Sequence, residues 1–362
     1  MKVALVYDWV DTLGGAERVL VQLKKIFPQA PLFTSVYNKS KADWAKNFKV
    51  VNSFLQNFPF SQNYHQIYPF LTPISFEQFD FSGFDIVISV TSADSKAIIT
   101  KPNTLHICYL LTPTRYIWSH YDVYIQNKLI KFLSKPVISY LRRWDLVAKD
   151  RPDVIISISQ TVQKRVKQYY KRDSNIIYPP VGISKPLKSA KISDYFLVVS
   201  RLVPYKRIDL TIKACNKLKK NLVIIGDGRV YGSLRSIAGS TVIFKENVSE
   251  SELSSYYKNC KALIIACEED FGLTAVECQM HGKPVIALGQ GGVLETVKKG
   301  KTGIFFKNQS VEDIIASIES FEKLHFSSQD CIENVRTFSE NSFKKEFTAM
   351  VNFHYKRFFR II

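Results

Sequence analysis

Two glutamates eight positions apart, Glu269 and Glu277, bracket the stretch whose chemistry organises the chain. Between them lie Asp270, Phe271, Gly272, Leu273 and Thr274, and before them the apolar run from Ala262 to Ala266 reads as a buried strand. From Thr274 to His281 the pattern turns helical. The first N–H groups of a helix have no partner within it, and the dipole favours negative charge there. A phosphate therefore suits the turn at Gly272. Carboxylates would repel a phosphate, so Glu269 and Glu277 are expected to meet hydroxyl groups instead. Phosphate with sugar hydroxyls on both sides describes a nucleotide sugar. The plainer alternative is a strand, a turn and a helix with two solvated glutamates. The acidic pair, Gly272 and the Gly-rich run from Gly289 to Gly292 together favour the site.

Arg201 and Lys206 follow the strand expected over Tyr195 to Ser200, at the carboxyl edge where α/β sheets bind ligands. A diphosphate on the Gly272 helix would be held by these two cations, which would stabilise the charge of a leaving nucleoside diphosphate. A solvated basic loop is the alternative. No D-x-D stands near a strand end, and no His/Cys/Asp cluster has metal-ligand spacing, so neither a metal nor a cofactor is expected. Two common motifs are excluded by counting. Gly226-Asp227-Gly228 has Tyr231 where a dinucleotide loop needs its third glycine, and Gly300-Lys301-Thr302 has Glu295 where a P-loop needs its first.

At 362 residues, 46% of them hydrophobic, the chain is expected to form two domains with ordinary cores. The six cysteines include no C-x-x-C pair, no apolar run is long enough to span a membrane, and no signal peptide opens the sequence. These features predict a cytoplasmic protein with reduced thiols. The net charge is +18, and the window from Gln126 to Arg172 supplies half of it, with twelve Lys/Arg against three Asp/Glu. Aromatics are interleaved around that window: Tyr121, Tyr124, Phe132, Tyr140, Trp144, Tyr169 and Tyr170. That mixture suits peripheral contact with an anionic membrane, at its inner face. A generally Lys-rich chain is the bland alternative. Nucleic acid is supported by charge alone and is not expected as a partner.

Stepwise along the chain, the grammar is strand, loop, helix. A strand over residues 2–7 leads through Gly14-Gly15 into a helix from Ala16 to Phe27, a second anion cradle on a weaker signal. Strands follow around Pro31 to Phe33, Phe84 to Val90, Leu105 to Leu110 and Asp153 to Ile158, the last leading into a basic helix from Thr161 to Tyr170. The aromatic and proline-rich segment from Phe54 to Phe79 has no clean period and reads as acceptor recognition or a satellite hydrophobic cluster. Pro179-Pro180 ends the first half. The second half repeats the pattern, with strands at Leu222 to Ile225, Val242 to Phe244 and Pro284 to Leu288. A capping box at Ser249-x-x-Glu252, a Ser310-capped helix from Val311 to Leu324 and a final helix from Phe338 to Phe359 complete it. The expected domains are 1–180, with a C-terminal helix of about 340–362 packing back on it, and 185–339.

Six blocks, in order, carry a resemblance to a known family. They are Asp8-Trp9 with Gly14 to Leu20, His106 to Tyr109 with Thr112 to Tyr116, Tyr178 to Val181, Arg201-Leu202 with Lys206 to Asp209, Glu269 to Gly272 with Glu277, and Gly282 to Ala287 with Gly291-Gly292. The chain resembles the family 4 retaining glycosyltransferases of the bacterial mannosyltransferase type that build surface glycans. The resemblance implies a GT-B fold, two Rossmann-like doubly wound domains with a cleft between them. It implies metal-independent transfer of a hexose such as mannose from a GDP- or UDP-linked donor to a glycan or lipid-linked acceptor. By similarity, Arg201 and Lys206 contact the donor diphosphate and Glu269 the sugar hydroxyls. Phe271, Gly272, Leu273 and Thr274 offer backbone amides, Glu277 takes the ribose, and Gly14 and Gly15 face the donor phosphate. His106 is a candidate catalytic residue or a structural histidine at a strand end. Two positions depart from the pattern: Leu111 stands where His is common, and Ser119 where Asp follows Trp118. A nucleotide-sugar-binding homologue with little transfer activity, acting as a scaffold, is the alternative reading.

Overall fold

The computed structural model describes residues 1–64, 67–119, 121, 127–182 and 193–361. Tyr124, Gln126 and the expected domain start at 185 lie outside the described residues. The chain divides into two compact units, Met1–Pro180 with Glu340–Ile362, and Val181–Ser339.

In the first unit the strands are β1 (Val3–Tyr7), β2 (Leu32–Thr34), β3 (Val50–Asn52), β4 (Ile86–Thr91), β5 (Leu105–Leu110), β6 (Val154–Ser157) and β7 (Asn175–Ile176). They form one sheet in the order β3-β2-β1-β4-β5-β6-β7. All its pairings are parallel; β1 lies along β4 with Val3 opposite Ile86 and Tyr7 opposite Val90. Every residue of β1, β4 and β5 is buried, because a parallel sheet carries helices on both faces. That is why these strands read as unbroken apolar runs. The C-terminal helix Glu340–Ile361 belongs to this unit. Its Glu340 pairs with Lys25 at 3.1 Å, and Phe343 and Phe347 pack their rings on Tyr109 at 6.0 Å.

The second unit has β8 (Phe196–Val199), β9 (Leu222–Ile225), β10 (Val242–Lys245), β11 (Leu263–Ile265), β12 (Val285–Leu288) and β13 (Gly303–Phe306). Their order, β10-β9-β8-β11-β12-β13, is again wholly parallel. Ser249 accepts from the Glu252 amide at 3.2 Å while Glu252 accepts from the Ser249 amide at 2.7 Å, so the capping box forms as its spacing predicts. Ser310 likewise caps Val311–Phe321, which ends three residues earlier than its pattern suggests. The helix expected over Thr161 to Tyr170 is helical from Gln160 to Arg165 and then widens to a π-turn, Val166–Tyr170, stopped by Lys171 in the left-handed region. β3 and β13 have no counterpart in the sequence reading. Both are only partly buried, and Asn52 and Gly303 interrupt their apolar runs, so neither shows the unbroken pattern of a buried strand.

Candidate functional site

In each sheet the strand order reverses once, at β1/β4 and at β8/β11, and crevices outside the carboxyl ends of such neighbours are where doubly wound sheets take ligands. In the second unit, the loop leaving β8 carries Arg201 and Lys206, and the loop leaving β11 carries Cys267 to Gly272. The two loops meet. Lys206 Nζ lies 2.5 Å from Glu269 Oε1, with the side chains only 12% and 17% exposed. Cys267 Sγ approaches the same oxygen at 3.4 Å. Arg201 Nη2 donates to Tyr205 Oη at 3.4 Å, and the Tyr205 ring lies 5.2 Å from Lys206 Nζ. Arg201, Lys206 and Glu269 are therefore joined through Tyr205 within the reach of one small ligand. Arg201 is exposed, so one cation faces water while the other is held.

Local backbone chemistry sets Lys206 in place. Pro204 opens the short 3-10 turn Pro204–Lys206, and Arg207 closes it in the left-handed region at φ 50°. Arg207 is steadied there by a fork onto Asp209, Nε to Oδ1 at 3.1 Å and Nη2 to Oδ2 at 3.3 Å. The helix Ile208–Leu218 follows at once and buries Ile208, Ile212 and Cys215.

Gly272 is the N-cap of the helix Leu273–Met280 and has φ 89° and ψ 51°, a conformation that side-chain-bearing residues avoid. A Cβ at Gly272 would lie 3.2 Å from Val293 Cγ1. The sequence points to a phosphate at this turn; the geometry assigns the glycine itself first to the backbone turn and to packing within the unit. Ala275 and Val276 donate back to the Gly272 carbonyl, at 3.0 and 3.3 Å. Among the described residues the amides of Leu273 and Thr274 have no hydrogen-bond acceptor, so the anion-seeking helix start that the sequence predicts is present. Phe271 turns its ring inward, 3% exposed, edge-on to Phe338 at 5.3 Å. The glycine run serves packing too: Gly292 donates to the Glu269 carbonyl at 2.7 Å, and a Cβ there would sit 2.4 Å from Phe271 Cα. Glu277, half-buried, accepts from Tyr257 Oη at 2.8 Å, and Tyr257 stacks on His281 at 5.7 Å. Tyr205, Tyr257 and Cys267 are thus site neighbours that sequence reasoning did not assign. Tyr257 contacts Glu277 across twenty positions, and no spacing rule reaches that far.

The corresponding corner of the first unit is closed. Asp8, 1% exposed, accepts from Thr91 Oγ1 and from the amides of Ser92, Ala93 and Ser95, all between 2.8 and 3.1 Å. Gly14 caps the helix Gly15–Ile26, but its N–H already donates to Glu17 Oε2 at 2.8 Å. Glu17 also accepts from Tyr7 Oη, and burial raises its carboxyl pKa despite that bond. The expectation that Gly14 and Gly15 form an open phosphate cradle is corrected to this extent: a buried carboxylate of the same helix holds the Gly14 amide. His106 also moves to a structural role. It is fully buried in β5, its Nε2 lies 2.8 Å from Ser89 Oγ, and burial pushes its pKa down to about 3. A neutral imidazole sealed inside a sheet has no route to a substrate. Leu111 continues from β5 with its amide on the Thr91 carbonyl at 2.8 Å. Among the described residues, no three His, Cys, Asp or Glu side chains are grouped so as to hold a metal ion.

Comparison with known proteins fits this architecture. Residues 183–338 match the family described as Glycosyl transferases group 1. Among relatives, an uncharacterized glycosyltransferase of Methanocaldococcus jannaschii is 29% identical over 46% of this chain and 49% of its own. A GDP-mannose-dependent alpha-(1-6)-phosphatidylinositol monomannoside mannosyltransferase of Mycobacterium tuberculosis is 25% identical over 47% of this chain and 52% of its own. The alpha-1,3/1,6-mannosyltransferase ALG2 of Candida glabrata is 23% identical over 63% and 64%. The chain spans about half the length of the first two. Among solved structures, Anabaena HepE in complex with UDP and glucose superposes with a TM-score of 0.70 at 18% identity, covering 97% of this chain and 99% of that one. Sucrose-phosphate synthase of Thermosynechococcus elongatus gives 0.76 at 14% identity, covering 99% and 100%. The fold is GT-B, with two Rossmann-like units in one chain.

Proposed function

We propose that this protein is a retaining glycosyltransferase that moves a hexose from a nucleoside-diphosphate sugar to a glycan or lipid-linked acceptor in surface-polysaccharide synthesis. One observation carries the reading: at the β8/β11 corner, Lys206, Glu269 and Arg201 converge beside the open amides of Leu273 and Thr274. Cations and amides suit a diphosphate; a carboxylate already hydrogen-bonded on one oxygen suits sugar hydroxyls on the other. In this reading Arg201, Lys206 and the amides hold the diphosphate, Glu269 orients the sugar, and Glu277 takes the ribose. The anomeric C–O bond to the diphosphate breaks as the acceptor oxygen bonds to the same face of the sugar. The departing phosphate oxygen receives the acceptor's proton, and no general base from the protein is required. Lys206 and Arg201 supply the charge stabilisation that a divalent cation would otherwise provide, so we propose metal-independent transfer.

Mannose from a GDP-linked donor is the first choice, supported by relatives named as mannosyltransferases. UDP-glucose belongs in the same panel because HepE is named in complex with it. In this reading the acceptor is met at the inner face of a membrane. The test is turnover of GDP-, UDP-, ADP- and dTDP-sugars in EDTA by the wild type and by Glu269→Ala, Arg201→Ala and Lys206→Ala. Product with a retained anomeric centre, lost in all three variants while folding persists, is expected. Unchanged turnover in all three removes the assigned site. The burial of His106 and the presence of Leu111 favour one second reading, a nucleotide-sugar-binding scaffold with little turnover. Donor binding without product from any acceptor would establish it.

A further inference from the structure

Twelve of the twenty large hydrophobic side chains exposed among the described residues fall in two segments of the first unit, residues 58–74 and 129–147. Such crowding is not what scattered surface hydrophobics look like. The two segments touch: the rings of Phe70 and Tyr140 lie 5.6 Å apart, which joins them into one face. On the helix Lys128–Ala148, Ile138, Leu141 and Asp145 turn inward, while Phe132 and Leu133, 66% and 65% exposed, lie on the outward side with Tyr140. Lys135 and Arg143 are exposed on the same helix, and Lys135 Nζ lies 5.8 Å from the Phe132 ring. In the other segment, Phe60 is 73% exposed and sits at φ 59°. A bulky residue in the left-handed region is a genuine outlier, and here the strained backbone holds an aromatic ring out in water.

We infer that this face docks on a bilayer surface containing anionic phospholipid. It requires nothing of the transfer reaction, although it would set where that reaction meets its acceptor. Charge decides among the occupants. Apolar rings interleaved with exposed Lys135 and Arg143, in a window carrying a net +9, complement anionic headgroups, with the rings entering the acyl boundary and the cations staying at the headgroup level. A second copy of a chain with net charge +18 would instead place like charge against like. The segment from Phe54 to Phe79, read from sequence as acceptor recognition or a satellite cluster, is thus reassigned in its exposed part to lipid contact.

Flotation with phosphatidylcholine vesicles, with and without phosphatidylglycerol, tests this at low and high salt. The wild type is expected on the anionic vesicles about tenfold more than on neutral ones, with less bound at high salt. Phe60→Ser/Phe132→Ser/Leu133→Ser should lower binding about tenfold, and Lys135→Glu/Arg143→Glu should abolish the preference for phosphatidylglycerol. Both variants change exposed side chains only and should keep the wild-type melting temperature and its shift with GDP-mannose or UDP-glucose. Failure to bind anionic vesicles, or binding by both variants at the wild-type level, overturns the inference. So does a vesicle-free dimer that the apolar variant dissociates. Loss of the nucleotide-sugar shift in the wild type would strike the proposed reaction and leave this one standing.

Discussion

In the C-terminal unit the loops leaving β8 and β11 bring Lys206 to Glu269 at 2.5 Å and leave Arg201 exposed beside them. In the N-terminal unit the loops leaving β1 and β4 meet at the matching corner, yet there Asp8 is satisfied by four donors from residues 91–95. The topology is the same and the polar accounting is opposite. A doubly wound sheet offers a crevice at its reversal point, but whether a ligand can use it depends on which polar groups the chain has not already paired. The first unit uses its corner for architecture. Lys96 and Asp145 form an ion pair at 2.6 Å with both side chains 2% exposed, and Trp118 Nε1 donates to the same carboxylate at 2.7 Å, tying the long basic helix to the loop after β4.

Breaking each corner should therefore have different consequences. Lys96→Met leaves Asp145 buried and uncompensated, and is expected to destabilise the first unit by about 3–5 kcal/mol in urea unfolding, with donor affinity of the folded protein unchanged. Lys206→Ala should do the reverse: transfer falls about 100-fold, roughly 2.7 kcal/mol, while stability shifts by less than about 1 kcal/mol. Similar losses of stability from both would erase the contrast between the corners.

Asp94 sharpens it through pH. Burial raises its carboxyl to about 7, against the pull of Lys96 and with Asp8 and Asp145 adding to the rise. The protonated form is the one the fold favours, so the residue costs nothing below the unfolded carboxyl range and costs progressively more as pH rises toward 7. Asp94→Asn should match the wild type near pH 4 and gain on it through neutrality, by on the order of 2 kcal/mol. Parallel stability curves across that window would contradict the assignment. The smallest effect belongs to Gly272→Ala, where φ 89° and the 3.2 Å approach to Val293 Cγ1 predict a loss of about 1 kcal/mol together with weaker donor binding.

Much of this was legible in the residues, for physical reasons that also mark the limits. Strands buried on both faces announce themselves as apolar runs, so β1, β5 and β9 were readable almost to the residue, whereas β3 and β13 are only partly buried and their runs are broken by Asn52 and Gly303. Arg201, Lys206 and Glu269 could be nominated because each directly follows a strand expected in the same sheet. The pairing of Lys206 with Glu269, across 63 positions, needed the strand order that makes β8 and β11 neighbours. Gly14-Gly15 misled because a glycine pair before a helix looks like an anion cradle whether or not a carboxylate three residues on fills it. Glu17 does fill it. His106 was ambiguous because type and strand position do not reveal burial; 0% exposure resolves it.

The central claim is that the C-terminal unit grips a nucleotide diphosphate with its own cations. Calorimetric titration of GDP-mannose and UDP-glucose into wild type and Lys206→Ala, with EDTA present throughout, tests it most directly. The account predicts that at least one donor binds the wild type in EDTA and that Lys206→Ala weakens that binding at least about tenfold, roughly 1.4 kcal/mol. Binding that appears only when a divalent cation is restored, or that Lys206→Ala leaves unchanged, would contradict it.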